Sequence, residues 1–371
     1  MAGKDNAVRD KRNMESLSEQ QSLFLSLIRL GVGHSSSVNL KGIDWMEIET
    51  CAHRHGLLAV VIDALDATGG SSLPLELKLE WIGEMLQNYE QRYVQYEKAV
   101  SSLAGFYNKH GYKMMVLKGY ACSLDWPKPK HRPCGDIDIW QFGHWKDADA
   151  AFSEGKNVII DKSHHHHTVF EWNGFVVENH YDFINVHHHK SHVEFEKVFK
   201  ELGQDDSRSI EVNGEKVYLP SLNLHALFLV KHMMQHFATS EITLRQLLDW
   251  GFFVEKHGKE VDWILLEQII RHFDMKELYN VFNAICVGDL GFDMKIFPNV
   301  QFDPSLKDKV LADILSPKYT MAEPREFFKR VMYKYKRWQG NAWKHDLCYK
   351  DSRWSSFWSG VWNHLLKPSS I

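Results

Sequence analysis

The residues best suited to chemistry lie in one stretch, Leu117-Lys118-Gly119 followed by Arg132-Pro133-Cys134-Gly135-Asp136-Ile137-Asp138-Ile139-Trp140. Asp136 and Asp138 alternate there with Ile137 and Ile139. In an extended strand, residues two apart share a face, so the alternation predicts two carboxylates side by side on one surface of a sheet. Anions held that close raise each other's pKa unless a cation sits between them. Hard oxygen ligands with room for a phosphate suit Mg²⁺, or Mn²⁺ in its place. Asp136 and Asp138 are therefore the first candidates for a catalytic metal site.

Such a pair needs a sheet to hold it, and the flanking sequence supplies one. Residues 1–14 are polar and read as disordered. Leu17, Leu23, Leu25, Leu27, Ile28 and Leu30 recur at helical spacing until Gly31. Trp45–Leu65 reads as one or two further helices. Pro74 suits a first helical position, and Leu75–Asn108 a long helix after it. Then the texture changes. Tyr112–Leu117 and Asp136–Trp140 read as strands, separated by a short helix at Tyr120–Asp125 and the breaker Trp126-Pro127-Lys128-Pro129. Trp145–Phe152 predicts a helix. Asn157–Asp161, His165–Trp172 and Phe175–Phe183 predict strands, with Asn173-Gly174 a two-residue hairpin turn. Val193–Leu202 predicts a helix, and Ile210–Leu219 a second hairpin around Asn213-Gly214.

After Pro220-Ser221 the helical period returns in Leu224–Phe237, Leu244–Lys256, Trp263–Phe273 and Leu278–Leu290. The predicted class is α+β: a small mixed-sheet core over 111–220, between a helical region at 15–110 and another at 221–371. An alternating doubly wound sheet is excluded by this order.

The bulk numbers describe an ordinary globular chain. Of 371 residues, 44% are hydrophobic and 25% charged, and the net charge of −4 gives no general pull toward nucleic acid. Five cysteines without a C-x-x-C pair argue against a disulfide framework or zinc ribbon, and fit a reducing compartment. Met1–Glu15 lacks the apolar core of a signal peptide. No run approaches the roughly eighteen apolar residues of a membrane span. A cytoplasmic protein is the expectation.

A strand ending in Leu-Lys-Gly, a short helix, a proline-bearing turn, an arginine and then Gly-Asp-Ile-Asp-Ile resembles the uncharacterised bacterial nucleotidyltransferases of the DNA polymerase β-like superfamily. The likeness is sharpest over 113–183, where a later acid-x-His on a strand is matched by Glu178-Asn179-His180. It extends to Leu244-Arg245-Gln246-Leu247-Leu248-Asp249. The resemblance implies a nucleotidyltransferase core that moves a nucleoside monophosphate from a nucleoside triphosphate to an acceptor hydroxyl. The resemblance leaves the acceptor open among a small molecule, a protein hydroxyl, RNA and a cell-surface sugar precursor. One departure is plain: the superfamily's Gly-Gly or Gly-Ser at the first helix is Gly119-Tyr120 here, without the short hydroxyl that contacts phosphate.

Phosphoryl chemistry needs metal ions on the phosphate oxygens and an in-line nucleophile. Asp136 and Asp138 would bind metal, with Glu178 as third carboxylate on an adjacent strand and Asp182 its fallback by parity. Gly119 opens a helix whose free N–H groups suit a phosphate. Lys118 and Arg132 would neutralise the triphosphate, Arg132 by a bidentate grip, or serve as ion-pair partners of the aspartates. Two other readings stay open: an inactive nucleotide- or protein-binding scaffold of the same fold, and a small-molecule phosphotransferase.

Three further features need a place. The runs His164–His167 and His187–His189 read as solvated or substrate-edge residues, with a zinc site the alternative. His232 and His236 share a helix face with the acid Asp249 on the next helix, suiting packing or chelation. Lys329–Trp354 mixes basic and aromatic residues. It reads as an amphipathic tail docked on the core, with RNA stacking and a membrane surface, anchored by Phe357, Trp358, Trp362 and Leu365, as alternatives.

Overall fold

The computed structural model describes residues 17–354, apart from 70–72, 188, 299–300, 320–323, 325, 350 and 353. The polar N-terminus at 1–14 and the aromatic anchors beyond 354 lie outside the described residues.

Six strands make one mixed sheet: β1 (Met115–Val116), β2 (Ile137–Trp140), β3 (His167–Trp172), β4 (Phe175–His180), β5 (Ser209–Val212) and β6 (Glu215–Tyr218). Their order is β3-β4-β2-β1-β6-β5. Asn173 and Gly174 have φ of 50° and 81°, Asn213 and Gly214 49° and 85°. Those are the left-handed pairs a tight hairpin turn requires, and they close β3–β4 and β5–β6 as antiparallel neighbours. The crossovers run parallel: β2 beside β4, and β1 beside β6.

Two strand expectations change. β1 covers two residues rather than the six of 112–117, although the Leu117 N–H still donates to the Asp138 carbonyl at 3.0 Å. Residues 157–161 do not form a strand. Asn157 turns left-handed to cap the preceding helix, Ile159 is 91% exposed, and only Asp161 makes a bridge, to Val169. Val158 and Ile160 still pack against the core, but without a neighbouring strand beyond the Asp161 bridge the run forms no ladder.

The helices are α1 (Glu19–Gly31), α2 (Trp45–His55), α3 (Leu58–Ala67), α4 (Leu75–Glu84), α5 (Arg92–Lys109), α6 (Tyr120–Ser123), α7 (Trp145–Lys156), α8 (Lys190–Gly203), α9 (Leu222–Thr239), α10 (Leu244–His257), α11 (Trp263–His272), α12 (Lys276–Gly288), α13 (Pro304–Leu315), α14 (Phe327–Gly340) and α15 (Ala342–Cys348). Capping boxes start α1 at Ser18/Gln21 and α10 at Thr243/Gln246. The long helix expected from 75 to 108 is broken by a π-helical segment, Met85–Gln91, between α4 and α5, and Pro74 stands as its N-cap.

Strand alternation sorts the side chains into two cores. Val116, Ile137, Ile139 and Val177 pack against Tyr96 and Phe106 of α5 and Phe152 of α7. The opposite face, with Met115, Leu117 and Trp140, belongs to a core that α1–α3 share with α9–α13. Asp136 and Asp138 have the parity of Trp140, so they face α9 and α10. In the tail, α15 docks on α9: buried Lys344 pairs with Asp313 at 2.5 Å and sits 5.0 Å from the Phe237 ring. Phe328, Val331 and Tyr335 of α14 stay exposed. Among the described residues no helix is long and apolar enough to cross a membrane.

Candidate active site

Asp138 on β2 and Glu178 on β4 are direct partners in the parallel register. Buried Asp138 Oδ1 lies 2.8 Å from Lys118 Nζ and 3.0 Å from His180 Nε2, which is itself 3.6 Å from Glu178 Oε2. One ligand atom each from Asp138, Glu178 and His180 fall within 4.8 Å of one another. Asp136 stands at the exposed entry to β2. Parity does not carry on to Asp182: β4 ends at His180, and Asp182 pairs with Lys200.

The charges in this group do not cancel. Burial opposes ionisation of Asp138, yet Lys118 and His180 hold its carboxyl far below the usual range. Burial also works against charge on Lys118, but Asp138 outweighs it and the ammonium is favoured. His180 is pulled down by burial and pushed further up by its bonds to Asp138 and Glu178, to about 9. It is therefore protonated at neutral pH. Asp136 is raised by burial and by the charges of Glu178 and Asp138. Three carboxylates thus face two cations, which leaves surplus negative charge, and their oxygen donors suit a divalent ion. Asp136, Asp138 and Glu178 fit Mg²⁺ or Mn²⁺.

Gly119 is required by its neighbours. Its φ is 48°, and a Cβ there would lie 2.4 Å from the Tyr96 hydroxyl, which donates to the Asp136 carbonyl at 2.8 Å. Tyr120 turns the other way. Its ring is buried against α5 and its hydroxyl donates to Glu97 at 2.7 Å, so the phenol is directed away from the carboxylates.

Helices α9 and α10 form the roof. Lys118 Nζ lies 3.2 Å from His232 Nε2, and His236 Nε2 lies 3.0 Å from that same nitrogen. A neutral imidazole has one lone pair, so His232 Nε2 can accept fully from only one of them. Arg245, second residue of α10, is half-buried, and its buried Nε lacks a hydrogen-bond partner among the described residues. Lys118, Asp136, Asp138, His232 and Arg245 line a cavity of about 310 Å³. Arg245 also reaches a neighbouring cleft of about 510 Å³, lined by Arg54, Arg92 and the π-helical residues Asn88 and Tyr89. Such π segments recur at functional sites.

Arg132 is used differently from the expectation of a phosphate grip. Its fork closes on Asp249, Nε to Oδ1 at 2.7 Å and Nη2 to Oδ2 at 2.9 Å, and the Trp126 indole donates to the same Oδ1 at 2.7 Å. Sequence reasoning missed Arg245, His232 and His236 as cavity residues. Their only signals were the Leu-Arg…Asp helix of the resemblance and the i, i+4 spacing of the histidines. His225, on the same helix, instead faces Cys122 Sγ at 3.7 Å.

The model of a family described as uncharacterised nucleotidyltransferase matches residues 41–285. No curated protein matches the chain. Among solved structures it is distantly similar to an antigenic nucleotidyltransferase-like protein from Paracoccidioides brasiliensis, with 15% identity over 43% of this chain and 75% of that one and a TM-score of 0.32. The matched segment is well over half of the chain and holds every cavity residue named above, so the chain belongs to the family of uncharacterised nucleotidyltransferases.

Proposed function

We propose that this chain is a metal-dependent nucleotidyltransferase of the DNA polymerase β-like kind, which takes a nucleoside triphosphate as donor. The observation that carries the reading is the pairing of Asp138 with Glu178 across β2 and β4, beside a cavity that Asp138 lines together with Asp136, Lys118 and Arg245. In the reaction an acceptor hydroxyl gives up its proton, with Glu178 as its acceptor, and its oxygen bonds to the α-phosphorus; the bond to the β-phosphate oxygen breaks, and pyrophosphate leaves. Asp136, Asp138 and Glu178 would hold Mg²⁺ or Mn²⁺, which supplies charge to the phosphate oxygens and acidity to the attacking hydroxyl. Lys118 and Arg245 carry positive charge toward the donor's phosphates, and the arginines of the adjoining cleft extend that charge. His180 holds Asp138 and Glu178 in orientation. Arg132, locked on Asp249, fixes the approach to β2.

The test is thermal unfolding of wild type and Asp136→Asn/Asp138→Asn with each nucleoside triphosphate, with and without Mg²⁺. Occupancy at about a hundred times Kd adds about 2.7 kcal/mol, a shift of several degrees. Stabilisation needing both nucleotide and metal, and absent from the double variant, is expected. No response to any triphosphate with Mg²⁺ would sink the reading. Product analysis separates the chemistries: pyrophosphate marks nucleotidyl transfer, a nucleoside diphosphate marks a phosphotransferase.

A further inference from the structure

Beside the carboxylates lies a second set of ligand-type atoms, of which the proposed reaction uses only His180. His167 and His180 oppose each other directly in the β3–β4 register. His166 is pinned next to them, its carbonyl accepting from the N–H groups of Tyr181 at 3.0 Å and Asp182 at 3.1 Å. One ring nitrogen from each of the three imidazoles lies within 4.8 Å of the other two. His166 Nδ1 and His167 Nδ1 are buried without a hydrogen-bond partner among the described residues. Phenylalanine would fill the same space without stranding two polar atoms, so packing alone does not account for these histidines. The Glu178 carboxylate completes the surroundings, 3.9 Å from His167 Nε2 and 3.6 Å from His180 Nε2.

Three imidazoles with one carboxylate suit a borderline ion such as Zn²⁺ better than a hard one such as Mg²⁺. We propose that His166, His167 and His180, with Glu178 in reach, form a nitrogen-rich site for a zinc-class divalent cation, whose binding releases the His180 Nε2 proton. It adjoins the oxygen-rich position of Asp136 and Asp138 through the two shared residues, His180 and Glu178. The backbone favours this use. His180 Nδ1 lies 3.3 Å from the Asp182 carbonyl, the outer contact that commonly fixes a ligating imidazole. Two of the three ligands come from paired strands, which limits the reorganisation needed to close on an ion.

The experiment is a calorimetric Zn²⁺ titration of the full chain after chelator treatment, in excess Mg²⁺ and without nucleotide, with bound metal counted by mass spectrometry. One zinc ion per chain is expected. His166→Ala/His167→Ala should weaken it by more than about 100-fold, beyond what loss of an outer-shell partner costs. Asp136→Asn should weaken it far less. Should the double alanine variant not fold, the single variants His166→Gln and His167→Gln report through Co²⁺, whose visible spectrum must change with the ligand set. The inference falls if no zinc is retained, or if the affinity is the same in the histidine variants. It also falls if zinc is lost instead with His165→Ala/His187→Ala, which would place the ion on the outer histidine run. Because the titration contains no nucleotide, its failure leaves the nucleotidyltransferase reading standing, and the converse holds.

Discussion

Two ion pairs border one cavity, one fully buried and one with a half-buried lysine, and they are built on opposite principles. Arg132 and Asp249 satisfy each other: two parallel bonds join fork to carboxylate, and the Trp126 indole takes up remaining acceptor capacity. Lys118 and Asp138 do not. One carboxylate oxygen serves both Lys118 and His180, one imidazole lone pair is sought by Lys118 and His236, and Asp136 and Glu178 add unbalanced negative charge. A closed pair fixes a fold, because any rearrangement leaves a buried charge alone. An over-subscribed one keeps groups exchangeable, which is what a site needs if a metal and a phosphate are to displace present partners.

The sharpest way to break this comparison is to remove one carboxylate from each pair. Asp138→Asn should lower nucleotidyl transfer by about 10³-fold or more, since metal charge stabilisation is worth several kcal/mol. Its effect on unfolding should be milder, because Lys118 is only half-buried and can turn to solvent, and His180 keeps Glu178 as a partner. Asp249→Asn should do the reverse. It leaves Arg132 buried without its counterion, at about 3–5 kcal/mol of stability. Chemical denaturation read beside turnover decides it. If Asp249→Asn spares stability and abolishes turnover, the two pairs have exchanged roles.

Part of this contrast was legible in the chain and part was not. The Asp136/Asp138 alternation and the Asn-Gly turns are local, so period and turn chemistry revealed where sheet and carboxylates would lie. Glu178 needed only the register of neighbouring strands. Partners from distant helices left no such trace. Nothing local says that Arg132 meets Asp249, 117 residues onward, rather than a phosphate. The spacing of His232 and His236 shows a shared face but not that the face covers Lys118. The stretch 157–161 misled for the same reason: apolar composition predicts a strand, and only the fold decides whether a neighbour exists for it.

A smaller effect sharpens the electrostatic side. The His180 pKa is raised to about 9 from an unfolded value of 6.5. The folded chain then binds more protons than the unfolded one between these values, and stability falls with rising pH. The contribution is fully present below pH 6.5 and lost by about 9, on the order of 3 kcal/mol. Lys231, pulled down to about 8 by burial, runs the opposite way above that pH. Glu196, raised to about 7 by burial, titrates in the same range and is common to wild type and variant. Between pH 6.5 and 8 the metal-free wild type should therefore lose stability faster than His180→Gln. Parallel Tm profiles would place the protonated group elsewhere.

The mildest expectation concerns Tyr120, the residue where the superfamily carries a short side chain. Its hydroxyl donates to Glu97 on α5, on the side of the sheet away from the carboxylates. Tyr120→Phe should therefore cost about 1 kcal/mol of stability, one hydrogen bond, and leave nucleotide binding untouched. A change in triphosphate affinity would mean that the phenol swings toward the cavity. The phosphate grip would then run through Tyr120 after all, and not through Lys118 and Arg245. An unchanged affinity would leave the substitute for the missing serine with Lys118 and with Arg245 of the roof helix, whose buried Nε has no partner among the described residues.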